Sequence, residues 1–488
     1  MRRTRSILLG FVAVTLSLTV CQGWVFPNHG EDLQEYFEQK EYINTILARP
    51  TDKSMTVSLM SSYNINSYIQ YGTSPGEYEE ASELYELTAH SPEHVDLVDL
   101  EPNTRYYYRV VVSDPTKKMY KAGKENSFVT AKLPGNSFKF AILADSHFQE
   151  QPAFEYGDLY LNTLKNIEAS NADFLFDMGD TFMANKLIDQ NVNGLDEDQT
   201  GHKDVDDLVH AHRAYYGKLL DKMPMLSIRG NQDGEFGFTL DDEEPLSVWT
   251  ATARKKYFPQ PNPDYKFYDA NTQKEPYLNN GWVEDYFSFR WGDALFVTLD
   301  PYWYTRGNVH DAWDWTLGRE QYNWFANVLR ENSGAPPPRC PHPPQYKFVL
   351  SHNLLGAQGA SQRGGAEWAR FYEWGGHEED GTDVFRARRP GFGGGDGVPV
   401  HDLLVKHGVD IFFHGHDHFY ARQEVDGVVY QLCPKPDEKR LEPFENRDAH
   451  NYQFGVQLPG AGHLEINVDE DHVAVLYVKS FLDEEVGE

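Results

Sequence analysis

Cysteine is scarce in this chain: Cys21, Cys340 and Cys433 are the only three among 488 residues. So few thiols exclude a disulfide framework and a thiolate metal cluster. A single Cys340–Cys433 bridge in an oxidising compartment and two separate idle thiols both stay open. Positive charge is equally short, with 44 Lys and Arg against 75 Asp and Glu and a formal net charge of −31. Such a surface repels nucleic-acid backbones and anionic membranes, which removes both as large-area partners. It leaves room for an anionic substrate at a site that carries its own cations. Beyond the N-terminus no apolar run is long enough to cross a bilayer, so no transmembrane segment is expected. Internal repeats are also missing, and nothing in the sequence fixes an oligomeric state.

What the chain has in quantity is apolar and aromatic residues, 40% and 14%, enough for a packed core and too many for general disorder. Its length makes two domains the natural expectation. At the N-terminus Arg2, Arg3 and Arg5 precede a run, residues 7–20, that is almost continuously apolar or small. The run is shorter than the ~20 residues of a spanning helix, and polar sequence follows it. Residues 1–23 therefore read as a secretory signal peptide, and the protein as secreted, periplasmic or extracellular. Cys21 sits where a lipoprotein acceptor would, but the preceding Val20 is bulkier than such signals prefer.

From about residue 40 to 133, short alternating runs (55–60, 68–71, 94–100, 106–112 and 127–130) are separated by turn-rich pieces such as Gly72-Thr73-Ser74-Pro75-Gly76. Period-two alternation at this spacing predicts an all-β sandwich. After Leu133-Pro134-Gly135 the grammar changes, and a second domain is expected over 137–482. Apolar strands at 138–144, 173–178, 225–228, 294–299, 347–350 and 410–413 alternate with helices at 158–170, 208–223, 319–332 and 400–407. Strands without alternation fit a sheet covered on both faces. Three stretches read as loops: the acidic 189–207, the proline-rich 335–344 and the glycine-rich 354–398.

The chemistry lies just past the strand ends, where open α/β sheets gather their ligands. There stand Asp145-Ser146-His147, Gly179-Asp180, Gly230-Asn231-Gln232-Asp233, Ser351-His352 and Gly415-His416-Asp417-His418. Each residue alone reads equally well as a helix cap or a turn residue. Five motifs in one order, each beyond a strand, point instead to two carboxylates, an amide and four histidines converging. Asp145/His147 and His416/His418 are i, i+2 pairs, which in extended backbone face the same way. Oxygen and imidazole donors without thiolate suit Zn, Fe, Mn or Co.

In this order the motifs resemble the calcineurin-like metallophosphoesterases. With the sandwich in front, the layout is similar to the purple acid phosphatases. The stretch from Leu100 to Val110, with Tyr106, Tyr107 and Tyr108, resembles the fibronectin type III strand that carries a tyrosine corner, with Tyr106 as the corner residue. The resemblance implies an α/β catalytic domain of two packed β-sheets flanked by helices, behind an N-terminal all-β sandwich. It implies two divalent or trivalent ions, Fe, Zn or Mn: Asp145, His147, Asp180 and His418 would hold the first, and Asp180 (bridging), Asn231, His352 and His416 the second. Such a pair, roughly 3.5–4 Å apart, activates water for in-line attack on a phosphoester and grips its oxygens. Asp180, Asn231 and Gln232 are the expected catalytic positions.

Two departures shape the expectation. The family places a histidine where this chain has Gln232, which donates a hydrogen bond but has no proton to give near neutrality. Another histidine (His202, His310 or His377, all in expected loops), a substrate with a good leaving group, or reduced activity would each accommodate that change. Met183 stands where purple phosphatases carry their iron-binding tyrosine, so no Fe(III)–tyrosinate colour is expected. Arg363, Arg370, Arg386, Arg388 and Arg389, with Trp368 and Trp374, could rim the site, as could Tyr302, Trp303 and Tyr304. The bland reading folds these aromatics against the body. The leading function is hydrolysis of small-molecule phosphoesters. Hydrolysis of phosphoanhydrides or phospholipid headgroups, and non-catalytic adhesion through the sandwich, are the alternatives.

Overall fold

The computed structural model describes residues 6–10, 43–114, 119–147, 157–187, 201–242, 245–306, 315–333, 343–354, 363–373, 375–377, 383–385, 398–438 and 452–482. Cys21, Cys340, His310, Trp374, Arg386, Arg388 and Arg389 lie outside them.

The first block is a β-sandwich. Strands Ile43–Ala48, Met55–Ser61 and Glu93–Leu97 pair antiparallel. They face a sheet centred on Arg105–Asp114, flanked by Ile65–Gly72, Asn126–Val129 and Met119–Ala122. Met55, Val57 and Leu59 point into the sandwich with Ile69, Val95, Tyr106, Tyr108 and Phe128. The intervening Thr56 and Ser58 are buried too, because their face packs on the second block. The Tyr106 hydroxyl accepts the Glu101 N–H at 2.9 Å, closing a tyrosine corner.

A bridge between Ala48 and Met225 fuses the sandwich to the second block. One nine-stranded sheet therefore runs Ser6–Gly10, His472–Lys479, Gly462–Val468, Phe138–Leu143, Phe174–Asp177, Met225–Ser227, Ile43–Ala48, Met55–Ser61, Glu93–Leu97. Ser6–Gly10, within the expected leader, is its edge and pairs parallel to His472–Lys479. The facing eight-stranded sheet runs Asp269–Ala270, Phe287–Trp291, Ala294–Thr298, Tyr346–Leu350, Ile411–His414, Val428–Leu432, Tyr420–Val425, Val456–Leu458.

Burial on both faces explains why these strands do not alternate. From Phe138–Leu143, Phe138, Phe140 and Ile142 fill the space between the sheets with Phe174, Phe176, Phe289, Phe296, Phe348 and Phe413. Ala141 and Leu143 pack outward beneath helices Gly157–Ala169 and His202–Tyr216. On the other sheet Leu295, Val297, Val349 and Phe412 do the same beneath Gly318–Glu331 and Val400–His407. The rings adopt the offset and edge-on geometries their quadrupoles favour: Phe140 lies 5.4 Å from Phe174 at 5° and 5.1 Å from Phe296 at 84°. Each buried phenylalanine contributes about 1.5–3 kcal/mol of apolar transfer.

Some elements differ from the sequence expectation. The helix expected over 208–223 is His202–Tyr216, so six residues of the expected acidic loop are helical. Its acidic first turn complements the helix dipole, and Asp204 accepts the Gly201 N–H at 2.8 Å. His202 accordingly opens a helix rather than lying in a loop, and is exposed. The glycine-rich stretch contains a turn of helix, Ala366–Phe371, and the strand pair Gly375–His377 and Asp383–Phe385. His377 ends the first of these strands. Among the described residues no helix is long and apolar enough to cross a membrane. Cys433 is a buried free thiol within the inter-sheet core.

Arg213, fully buried, ties the two blocks together by donating to Ser58 O at 2.8 Å, Ser58 Oγ at 3.0 Å, Tyr257 O at 2.6 Å and Asn44 Oδ1 at 2.9 Å. His94 shares this seam, its Nδ1 2.8 Å from Ser58 Oγ. Burial, then the charges of Arg213 and Arg49, lower its pKa from 6.5 to about 3. Below 6.5 the unfolded chain takes up a proton that the folded seam refuses, so His94's contribution is present above that pH and lost as pH falls toward 3. We expect urea midpoints to drop between pH 7 and 4, and His94→Asn to lessen that drop. An unchanged pH slope in the variant would show that the seam does not carry it.

Candidate metal centre

The loops carrying Asp145, His147, Asp180, His416 and His418 leave the carboxyl ends of strands Phe138–Leu143, Phe174–Asp177 and Ile411–His414. All five residues have left-handed backbone, with φ of 57°, 46°, 54°, 79° and 68°. The i, i+2 pairs are therefore not in extended backbone as expected. Tight bends bring them together, a conformation that costs non-glycine residues energy and that the surroundings must impose. Two glycines allow the bends to touch. A Cβ on Gly179 would lie 2.3 Å from Gly230 N, and one on Gly230 would lie 2.0 Å from Asp180 Oδ1.

Asp233 supplies the restraint. Its Oδ1 accepts the N–H groups of Thr181 (2.9 Å) and Phe182 (2.8 Å), and its Oδ2 those of Asp180 (3.0 Å) and Gly230 (2.7 Å). Asp177 braces the same loop, accepting from Gly179 N at 3.0 Å, Thr181 Oγ1 at 2.7 Å and Tyr216 OH at 2.7 Å.

Two Asp/His sets result: Asp145, His147 and His418, and Asp180, His352 and His416, the ligand atoms of each lying within 4.8 Å of one another. They abut at Asp180, whose Oδ2 is 3.4 Å from His147 Nε2 and 3.2 Å from His352 Nε2. Asp145 Oδ1 is 3.6 Å from His418 Nε2 and 3.8 Å from His352 Nε2. The environment aims these atoms. His352 Nδ1 lies 2.8 Å from the Met178 carbonyl and must donate to it, which turns the Nε2 lone pair inward. Asp180 Oδ1 accepts from Gln232 N at 2.7 Å, leaving Oδ2 for the centre. Asp145 accepts from His416 N at 2.9 and 3.1 Å.

Cations fit this donor set. Asn231 Oδ1 is buried without a hydrogen bond, and an acceptor so stranded is what an ion would satisfy. Burial favours the neutral forms, yet His352 and His147 hold Asp180 well below the usual carboxylate range. Asp180 in turn raises His352 to about 9 against its burial. Burial and then His352 push His416 down to about 4. Proton and cation compete for this cluster, so metal uptake releases protons.

Of the other residues singled out in the sequence, Gln232 is half-buried beside Asp180, and its Oε1 accepts from Asn185 Nδ2 at 2.6 Å. Met183 is fully buried. Tyr302 and Trp303 are not rim residues. Both are fully buried, the first donating to Asn353 Oδ1 and the second to Glu275 Oε2 at 2.9 Å. Trp368 is likewise folded into the body and Arg370 is exposed, while Arg363 stands 3.6 Å from Asp417 beside the ligands. Sequence reasoning gave no part to Asp233, Asp177, Asn185 or Asn353. Only Asp233, inside the Gly230-Asn231-Gln232-Asp233 motif, and Asn353, directly after Ser351-His352, had a signal.

The two sheets and the paired Asp/His sets define the calcineurin-like metallophosphoesterase fold, in a purple-acid-phosphatase-like layout with an N-terminal fibronectin III-like sandwich. Residues 41–130 match the purple acid phosphatase N-terminal domain family. The fold is similar to that of purple acid phosphatase PPD1 from yellow lupin (Lupinus luteus) seeds. Identity is 15%, with 89% of this chain and 74% of that one covered and a TM-score of 0.54. Looser likenesses, which bear no weight, are to GAP50, the anchor in the inner membrane complex of Plasmodium (13% identity, 72% and 86% covered, TM-score 0.37), and to a putative 5'-nucleotidase from Staphylococcus aureus (14%, 71% and 55%, 0.33). No curated protein matches the chain.

Proposed function

We propose that this protein is a phosphoric-ester hydrolase using two metal ions and acting on small-molecule phosphoesters. The observation that carries the reading is the position of Asp180 Oδ2, 3.4 Å from His147 Nε2 of one Asp/His set and 3.2 Å from His352 Nε2 of the other. Asp145, His147 and His418 would hold one ion, Asn231, His352 and His416 the other, and Asp180 both. When bound, such ions supply charge for the phosphoryl oxygens and acidify water. Asn231, being neutral, leaves the centre more cationic than a third carboxylate would. Gln232 donates a hydrogen bond beside it without giving up a proton. Hydrolysis of phosphoanhydrides or phospholipid headgroups is the second reading, and of the two the lack of an acid at that position favours phosphoanhydrides, whose leaving oxygen is weakly basic.

The reading extends to domain limits of 1–23, 40–133 and 137–482 and to an extracytoplasmic location. Removing the leader would leave His472–Lys479 as the sheet edge. The test compares p-nitrophenyl phosphate with bis-p-nitrophenyl phosphate, using mature protein loaded separately with Mn, Zn or Fe. Release of p-nitrophenol that depends on metal is expected. No turnover of either ester by protein of full metal content would overturn the proposal.

A further inference from the structure

Of the six residues in the two Asp/His sets only His418 is not fully buried, its side chain keeping 18% exposure, so the first set meets solvent at this ring. Strands Ile411–His414 and Val428–Leu432 are parallel neighbours, and the Cys433 N–H donates to the His414 carbonyl at 2.7 Å. Residues 415–418 and 433–437 therefore leave the same end of the sheet side by side. Asp417 lies between the two histidines of the first segment. Its Oδ2 accepts from Tyr452 OH at 2.8 Å and Gly364 N at 3.3 Å, which brings in Arg363, with Nη1 3.6 Å from Asp417 Oδ1. On the second segment Lys435 Nζ stands 3.5 Å from Asp437 Oδ1. In both pairs the carboxylate is the inner partner: Asp417 and Asp437 keep 3% and 4% exposure, Arg363 and Lys435 26% and 13%. Both gaps exceed a hydrogen bond, and Asp417 Oδ1 and Asp437 Oδ1 are buried without one, so these oxygens tether the cations by charge. Both positive charges act on His418. Burial of most of the ring, then His147, Lys435 and Arg363, hold its pKa well below the usual value.

We propose that Arg363 and Lys435 form a second anion subsite on the His418 side of the metal centre, so that the substrate carries a further phosphate or carboxylate beside its reacting phosphoryl group. This rests on the phosphoester reading above and narrows its substrate class to small polyanions. A chain of net charge −31 repels such molecules at long range, so two cations gathered at the solvent side of one ligand matter more here than on a neutral protein. The guanidinium offers a planar fork that suits either a carboxylate or a phosphate, and the ammonium a compact point charge. Asp417 and Asp437, set behind the cations, keep them in place between substrates.

The test is calorimetry on metal-loaded mature protein with methylphosphonate, phosphonoacetate and methylenediphosphonate. The three probes share one phosphonate; the second adds a carboxylate and the third another phosphonate. Free loading metal is held constant, so that chelation by the probes does not empty the site. Wild type should bind the better two-anion probe roughly tenfold more tightly than methylphosphonate, and the identity of that probe tells a carboxylate from a phosphate. Arg363→Gln and Lys435→Gln should each cut this ratio roughly three- to fivefold, the scale of one partly exposed ion pair, and the double variant should bring it near one. Arg363→Lys, which keeps the charge, should retain most of it. Far-UV circular dichroism and metal content should match the wild type throughout. A wild-type ratio near one, or a ratio that survives in the double variant, would overturn the proposal. So would an equal loss of all three affinities in the glutamine variants, which would mean a general field and not a subsite. Failure of the wild type to bind any probe would count against it equally. If the wild type prefers a two-anion probe but turns over neither nitrophenyl ester, the hydrolase reading fails and the subsite stands.

Discussion

Asp180→Asn should lower activity by roughly 10²-fold or more and remove most of the metal with it, while leaving the sandwich folded. The hydrogen bonds decide how the new amide sits. Gln232 N–H points at Oδ1 from 2.7 Å, so the carbonyl oxygen of the asparagine stays there. Its NH2 then occupies the position of Oδ2, between His352 Nε2 at 3.2 Å and His147 Nε2 at 3.4 Å. A donor with no lone pair now stands where one oxygen lay within 3.4 Å of a histidine from each set, and the negative charge is gone as well. The check is metal content by atomic emission, turnover of a nitrophenyl ester, and far-UV circular dichroism on the same sample. Retained turnover at full metal content would sink the assignment of Asp180. Loss of the sandwich signal would mean that unfolding, not ligation, caused the loss.

The two Asp/His sets were legible because chemistry and order are properties of the sequence. A carboxylate or histidine past each of several apolar strands is visible without coordinates. The backbone that presents them was not visible. Extended geometry was the local default for Asp145/His147 and His416/His418, yet each residue is left-handed, because loops from distant strands lock one another through Gly179, Gly230 and Asp233. The hairpin of Tyr420–Val425 and Val428–Leu432 had a readable signal in Asp426-Gly427, both at positive φ in a two-residue turn. Helix Leu246–Tyr257 had none. It buries Ser247, Thr250 and Arg254 along with its apolar residues, because Arg254 reaches Glu235 at 2.6 Å, so no clean apolar stripe marks it. Tyr302 and Trp303 suggested a binding rim by type. Their hydroxyl and indole partners, Asn353 and Glu275, lie far off in the chain and take both rings inward.

Removing the Asp233 carboxylate should damage this protein more than removing any single ligand. Asp233 is buried and accepts four backbone N–H groups, those of Gly230, Asp180, Thr181 and Phe182. Ligands removed one at a time leave these loops in place, whereas Asp233→Ala orphans all four donors in a region closed to water. At about 1–3 kcal/mol for each unsatisfied group, partly offset by relaxation, the loss is on the order of 4 kcal/mol. Asp233→Asn keeps one accepting oxygen and so two of the bonds, which places it between alanine and the wild type. The function falls with the fold. Asp180 keeps its left-handed φ of 54° only while its own N–H and those of the next two residues are held, and release moves Oδ2 away from both histidines. Urea unfolding of metal-free protein should therefore rank wild type above Asn above Ala, and metal affinity should follow the same order. An alanine variant within about 1 kcal/mol of wild type, with undiminished metal uptake, would show that the loops are held by their strands and not by this one carboxylate.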